Sequence, residues 1–406
     1  MSFSWFVALR YLRTDISQTA LVLAAVSVGV TVIVFLSALI TGLQTSLIDK
    51  TLGSQAHVTL TVREELPRAL VEERDGVAIL SSLQKGPQRL RSIDGWPQLL
   101  GVAEATPGVI AASAAITGAG FAEYATAKRP IMVRGVEPER FVRIIDLEKR
   151  LVRGRFDLAG SNVVIGSKLA ADLGVGVGDK LRIVTSEGRV DVVVVAGVFE
   201  LGNLAVDGTW MLTTIRQAQS LFALPGGATT IELKVGEVFE AEQVAREVER
   251  RTELSAESWM EKNAELLSGL SAQSSSKTMI QFFVVVAVAL GIASVLIVSV
   301  VQKSREIGIL RAVGTPRRRV LEVFLLQGGL LGALGSVIGC ALGTLFSRLF
   351  EGVALDPSGK PRFPVQVDAQ LLLGASAIAI GVGLLAALLP ARRASRLDPA
   401  TAIRNG

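Results

Sequence analysis

Four stretches without a single charged side chain constrain this sequence more than anything else in it: Ile16 to Ile48, Thr278 to Gln302, Val323 to Ser347 and Ala369 to Ala391. A helix needs about 20 apolar residues to cross the hydrocarbon core of a bilayer. Each stretch reaches that length, and buried helices of soluble domains rarely run so far without a charge. The expected fold is a membrane protein with four transmembrane α-helices and a large α+β extracytoplasmic domain between helices 1 and 2. This divides the chain into 1–48, an amphipathic helix and the first span; 49–277, the extracytoplasmic domain; and 278–406, three further spans with a charged loop at 303–319.

The basic residues orient these spans. Arg10 and Arg13 precede the first. Lys303, Arg305, Arg311, Arg317, Arg318 and Arg319 lie between the second and third, and Arg392, Arg393, Arg396 and Arg404 follow the fourth. The third loop balances Arg348, Lys360 and Arg362 against Glu351, Asp356 and Asp368. The positive-inside rule therefore predicts cytoplasmic termini, a cytoplasmic second loop and an exported segment from about Asp49 to Lys277. The first stretch is too long for a signal-peptide core and reads as an uncleaved anchor. Ahead of it, Phe3, Trp5, Phe6, Leu9 and Leu12 recur at near-helical spacing beside Arg10 and Arg13, as in a short amphipathic helix on the cytoplasmic membrane surface.

Several function classes find no support. The net charge of +5 follows from the positive-inside distribution and does not call for nucleic acid. Cys340 is the only cysteine and falls inside the third span, and His57 is the only histidine, so neither a disulfide framework nor a structural zinc site is expected. The glycines at 174, 176 and 178 before Asp179 and Lys180 lack the G-x-x-x-x-G-K-[ST] spacing of a phosphate loop and read as a turn. Paired carboxylates such as Glu64 with Glu65 and Glu72 with Glu73 read as solvated surface, and no catalytic site is expected. Spans free of ionisable groups argue against a proton-coupled relay.

The exported segment reads as mixed α and β. Val58, Leu60 and Val62 alternate with polar neighbours, and Pro130 to Val136 suggests a further strand. Arg63 to Pro97 has no clear pattern. From Asn162 onward the order is sharper: strand Val163 to Ile165, helix Ser167 to Leu173, and strand Lys180 to Thr185. A turn at Ser186 to Gly188 leads into strand Val190 to Phe199, whose unbroken Val192 to Val195 predicts cover on both faces. Strand Trp210 to Thr213, helix Thr214 to Phe222, strand Thr230 to Val235 and an amphipathic helix through Val238, Ala241, Val244, Ala245 and Val248 follow. Ser268 to Lys277 is expected to return the chain to the membrane, continuous with the second span.

Two segments carry functional signals. In the third span Gly335, Gly339 and Gly343 recur every four residues beside a row of Gly328, Gly332, Ser336 and Cys340. One face is thus stripped of bulk for close helix packing, either within one subunit or across a dimer. In the second loop, Lys303 to Val313 reads as a short helix, with Gly314 as its stop and Pro316 opening the next helix. Ile307, Leu310, Ala312 and Val313 interleave with charges there, as a docking surface requires.

That loop, K-S-R-E-I-G-I-L-R-A-V-G from Lys303 to Gly314, resembles the loop after the second span of FtsX-like ABC transporter permeases. Phe324 to Gly328 (F-L-L-Q-G), the glycine-rich third span, and Ser258, Trp259, Asn263, Leu266 and Leu267 resemble the lipoprotein-releasing branch. Pro390 to Arg404 resembles the family's ending. Ile165 to Asp179, I-G-S-K-L-A-A-D-L-G-V-G-V-G-D, is similar to the exported domain of these permeases and of the macrolide-exporter group. The resemblance implies a non-catalytic permease subunit in the bacterial inner membrane, working with a second permease, alike or unlike, and with ATPase subunits. Lys303, Arg305, Glu306, Ile307, Leu310, Arg311, Gly314, Arg317 and Arg318 would then form the ATPase-coupling surface. ATP and magnesium would be held by the partner, with no cofactor or metal on this chain, and a periplasmic adaptor or chaperone is a further expected partner. The implied activity is extraction or export of a lipidated or hydrophobic substrate, most of all lipoprotein release. Macrolide-type efflux with an adaptor, or FtsX-like signalling to a cell-wall hydrolase, are the alternatives. No chaperone-binding hook can be matched in the irregular stretch Thr117 to Arg129.

Overall fold

A computed structural model of the chain describes residues 3–63, 90–353, 365 and 367–397. The carboxylates Glu64, Glu65, Glu72 and Glu73, the third-loop residues Asp356, Lys360 and Arg362, and Arg404 lie outside them. The described elements begin with α1 (Phe3–Thr14), α2 (Ile16–Leu52), β1 (Val58–Thr61), α3 (Trp96–Glu104), β2 (Val109–Tyr124), β3 (Ala127–Val136) and α4 (Pro138–Ile144). Next come β4 (Leu151–Gly154), β5 (Asn162–Gly166), α5 (Ser167–Leu173), β6 (Lys180–Thr185), β7 (Val190–Phe199), α6 (Leu204–Thr209), β8 (Trp210–Thr214) and α7 (Ile215–Leu221). The order closes with β9 (Thr230–Val235), α8 (Ala241–Thr252), β10 (Ser255–Ser258), α9 (Trp259–Lys262), α10 (Ala264–Gln302), α11 (Ser304–Ala312), α12 (Arg317–Val353) and α13 (Ala369–Ser395). Two compact units result, one of residues 1–47 with 268–406 and one of residues 48–267.

The first unit is helical. α2, α10, α12 and α13 are long and apolar enough to cross a membrane. Their shared core gathers Val22, Val26, Val30 and Val34 of α2, Ile292 and Leu296 of α10, Leu331 of α12, and Ala375, Ala379 and Ala387 of α13. Burial of apolar groups supplies little drive between helices in lipid, so close packing and polar contacts must hold them. Between α2 and α10 such contacts occur at three levels: Gln18 Nε2 donates to Gln302 Oε1 (3.0 Å), Gln281 Nε2 to Ser37 Oγ (2.7 Å) and Gln44 Nε2 to Ser274 Oγ (3.0 Å). The amphipathic helix α1 packs one side on this bundle. Its Ala8 and Tyr11 are buried against Val323 of α12, while Trp5, Phe6, Arg10 and Arg13 are exposed.

The second unit is built on one ten-stranded sheet, in the order β10, β1, β9, β2, β3, β8, β5, β7, β4, with β6 paired to β2 and β7. Helices α5 and α7 cover one apolar cluster (Leu169, Leu173, Ala218, Leu221), α8 another (Val244, Ala245, Val248) and α4 a third (Phe141, Ile144). Under α4 the guanidinium of Arg134, from β3, pairs with Glu232 of β9 and lies 4.0 Å over the Trp210 ring. The side chains are only 5% and 9% exposed, so the two charges depend on each other.

Two sequence expectations are corrected here. The stretch Thr117 to Arg129 is regular: β2 and β3 form an antiparallel hairpin through it, with Tyr124 opposite Ala127 and Ala125 at φ 52° in the turn. The first half of β2 is alanine-rich, a composition of low strand propensity, which hides it from a pattern search. In β7 the valine run is not covered on both faces, since Val190 and Val192 are about half exposed and only Val193 and Val195 turn inward.

Candidate functional site

The charged helix α11 joins α10 to α12, and its ending follows from its sequence. Gly314 adopts φ 100°, a left-handed conformation that glycine takes without strain. Its N–H donates to the Arg311 carbonyl (3.1 Å) and that of Thr315 to the Leu310 carbonyl (3.1 Å), which satisfies the last turn. On its buried side, Ile307 packs with Val300, Val320, Phe324, Ala391 and Ala394, joining the ends of α10, α12 and α13. Arg311 Nη1 donates to the carbonyl oxygen of Leu397, just past α13.

Lys303, just before α11, is also turned inward. Its ammonium lies 3.0 Å from Asp15 Oδ2 and 4.6 Å from the centroid of the Tyr11 ring, and its side chain is 6% exposed. Burial, reinforced by the charge of the nearby Glu306 carboxylate, pushes the Tyr11 phenol up to about 12. Tyr11, Val7, Ile307, Leu310, Val323 and Phe324 close around a small cavity of about 10 Å³, a volume that holds at most one water.

What remains exposed on α11 is a different face: Arg305, Glu306, Ile309 and Ala312, continued by Val313 and Gly314. Arg317, Arg318 and Arg319 follow it, all exposed, and Arg318 pairs with Glu322 at 3.3 Å at the surface, where such a pair is worth little. Of the residues expected to form a docking surface, Arg305, Glu306, Gly314, Arg317 and Arg318 are exposed and Leu310 and Arg311 are half-buried. Lys303 and Ile307 are enclosed by the chain's own helices, which corrects the expectation that they face outward. Ile309 was missed, although its place four residues after Arg305 puts both on one helical face.

The glycines of α12 fall into two sets. A Cβ built on Gly328 would stand 2.3 Å from the carbonyl oxygen of Gly383, and one on Gly332 would stand 2.6 Å from that of Ala379, both in α13. Gly335, Gly339 and Gly343 instead receive Val26, Val30 and Val34 of α2. The matched four-residue steps show α2 and α12 running parallel. Both faces are thus filled within the one chain.

Beside these contacts, α2 and α12 border a groove of about 580 Å³ that extends along α12 away from α11. Val28, Val32 and Phe35 line it from one side and Leu342, Phe346 and Phe350 from the other, with the Thr31 hydroxyl bonded away to backbone oxygens. Such a surface holds hydrocarbon and little else. Among the described residues no group of three or more His, Cys, Asp or Glu is placed to hold a metal ion.

Residues 278–399 match the FtsX-like permease C-terminal family, and residues 19–251 match the MacB-like periplasmic core domain family. The lipoprotein-releasing system transmembrane protein LolC of Neisseria meningitidis serogroup B is 23% identical over 98% of this chain and 98% of its own length. The macrolide export ATP-binding/permease protein MacB of Neisseria meningitidis serogroup A is 31% identical, over 28% of this chain and 17% of its own. The crystal structure of the periplasmic region of MacB from Actinobacillus actinomycetemcomitans overlaps 54% of this chain and 95% of that one, with a TM-score of 0.33 and 9% identity.

Proposed function

The chain belongs to the FtsX-like ABC transporter permeases, with a MacB-like periplasmic core domain inserted after its first span, and on that footing we propose that it is the membrane subunit of a lipoprotein-releasing transporter. The observation that carries this reading is the end-to-end likeness to lipoprotein-releasing transmembrane proteins, against a match to the macrolide exporter confined to about a quarter of the chain. The apolar groove between α2 and α12 supports it physically. Acyl chains partition into such a surface, whereas spans without ionisable groups offer nothing to a hydrated solute.

In this reading both termini and α11 face the cytoplasm, in keeping with the basic residues around them. The face formed by Arg305, Ile309, Ala312 and Val313, with Arg317 and Arg318 beside it, docks on an ATPase subunit that holds ATP and magnesium. A second permease subunit completes the membrane part, and a periplasmic chaperone or adaptor receives the cargo. Hydrolysis in the ATPase moves α11, and α10 and α12, which it joins, carry that movement across the bilayer.

The test is reconstitution of the complete complex in proteoliposomes loaded with a triacylated lipoprotein. ATP-dependent transfer of that lipoprotein to a soluble acceptor is the expected result. Export of a macrolide, or activation of a cell-wall hydrolase without lipoprotein release, would replace this reading with one of its rivals.

A further inference from the structure

We propose that α1 is the positioning element of α11: Tyr11 and Asp15 hold Lys303, so this residue acts on the chain's own N-terminal segment rather than on the ATPase. The proposal rests on the reading of α11 as the ATPase contact and adds to it what sets the pitch of that contact.

The argument begins with Lys303. An ammonium taken out of water is costly unless it is paired, and this one, at 6% exposure, finds both its partners in one strap of chain. Asp15 supplies a carboxylate at 3.0 Å and Tyr11 a ring face at 4.6 Å. Tyr11 also lines, with Ile307 and Leu310, the small cavity behind α11, so one tyrosine faces three positions along this segment. Its ring also stands 6.4 Å from that of Phe324 in α12, so it is fixed from behind. α1 is held to α12 independently, through buried Ala8 against Val323 and through Ser4 Oγ donating to Glu322 Oε2 at 3.3 Å.

The consequence is a division of labour around α11. At about 100° per residue, Lys303, Ile307 and Leu310 share the side towards α1 and the helix core, while Arg305, Ile309 and Ala312 share the far side, with exposed Glu306 at the border between them. The side that α1 grips is thus turned away from the side left for a partner. Rotation of α11 would move Ile309 off the exposed face and Lys303 away from Asp15. The clamp of Tyr11 and Asp15 opposes that rotation.

The experiment uses the assembled complex in lipid nanodiscs and reads two quantities: retention of the ATPase subunit, and lipoprotein released per ATP hydrolysed. Ile309→Asp, on the docking face, is expected to lower retention of the ATPase. Tyr11→Leu takes the ring face from Lys303, and Asp15→Asn takes its ion pair. Each is expected to lower cargo released per ATP by roughly tenfold, as loss of one partner of a charged group would. The double variant should fall by less than the product of the two single losses, because both act on the same ammonium. Asp15→Lys should fail similarly and be rescued by pairing it with Lys303→Asp, which controls for misfolding. If Ile309→Asp uncouples the complex while Tyr11→Leu and Asp15→Lys do not, the clamp is refuted and the ATPase contact stands. Additive losses in the double variant would also refute it. If Ile309→Asp itself has no effect, the reading of α11 fails and the clamp with it.

Discussion

His57 is the one imidazole in the chain, and it is enclosed at the entry to β1, with Nδ1 3.2 Å from both the amide nitrogen and the carbonyl oxygen of Val235. Burial pulls its pKa below the ordinary 6.5. The Val235 hydrogen bond opposes that pull, and the nearby charge of Lys234 adds to it. The folded state therefore favours the neutral ring. Below 6.5 the unfolded chain binds a proton that the folded one resists, so this contribution to stability is complete above that pH and is lost as pH falls towards the folded value. A linkage of one proton sets the limit at about 1.4 kcal/mol per pH unit. Denaturant unfolding followed by near-ultraviolet circular dichroism should show lower stability at pH 5.5 than at 7.5, and His57→Gln should flatten the difference. An unchanged slope in the variant would move the effect to other groups. At this scale the sequence is least informative. It displays Lys303, Glu306 and Ile307 as one charged, amphipathic run, but the inward turn of Lys303 is decided by Tyr11 in α1 and by Asp15 just after it, almost 300 positions away in sequence.

Helix packing shows the opposite balance. The four-residue glycine spacing in α12 is visible in the sequence and does mark close approach. What it leaves open is the partner, and the geometry divides that between α13 for Gly328 and Gly332 and α2 for Gly335, Gly339 and Gly343. Gly328 and Gly383 meet backbone to backbone, each blocking a Cβ on the other at 2.3 Å. Since the obstructing atoms are carbonyls, relief requires α12 and α13 to separate. Gly328→Val should therefore destabilise the helical unit by at least the roughly 1–3 kcal/mol of an overpacked core. Gly381→Ala, on the same α13 with nothing within 4 Å of the new methyl, should be close to neutral. Melting points of the two purified variants in one detergent would check this. Equal midpoints would mean that α12 and α13 do not need to touch there. Strands were legible where β-branched residues alternate, as in β1 and β9, and not in the alanine-rich start of β2, where neighbouring strands and helices impose an extended chain that local composition does not favour.

For the molecule as a whole, what was legible is the count of spans, because a bilayer forbids charges over a length no soluble fold has to respect. Sidedness is a separate matter and follows from parity. The segment before α2, the loop holding α11 and the segment after α13 are separated from one another by two or four crossings, so all three must lie on one side. Together they hold most of the arginine that flanks the spans, including Arg10, Arg13, Arg317, Arg318, Arg319, Arg392, Arg393 and Arg396. The positive-inside rule predicts that this side is the cytoplasm. Two exposed positions decide the matter: Val313, 84% exposed after α11, and Leu204, 77% exposed at the start of α6. With Cys340→Ala removing the native thiol, Val313→Cys should react with a membrane-impermeant maleimide only in inverted vesicles, and Leu204→Cys only in intact spheroplasts. Labelling of Val313→Cys from outside would reverse all three basic segments at once and place α11 where no cytoplasmic ATPase could reach it. The proposed coupling surface and the clamp behind it therefore stand or fall with this one accessibility.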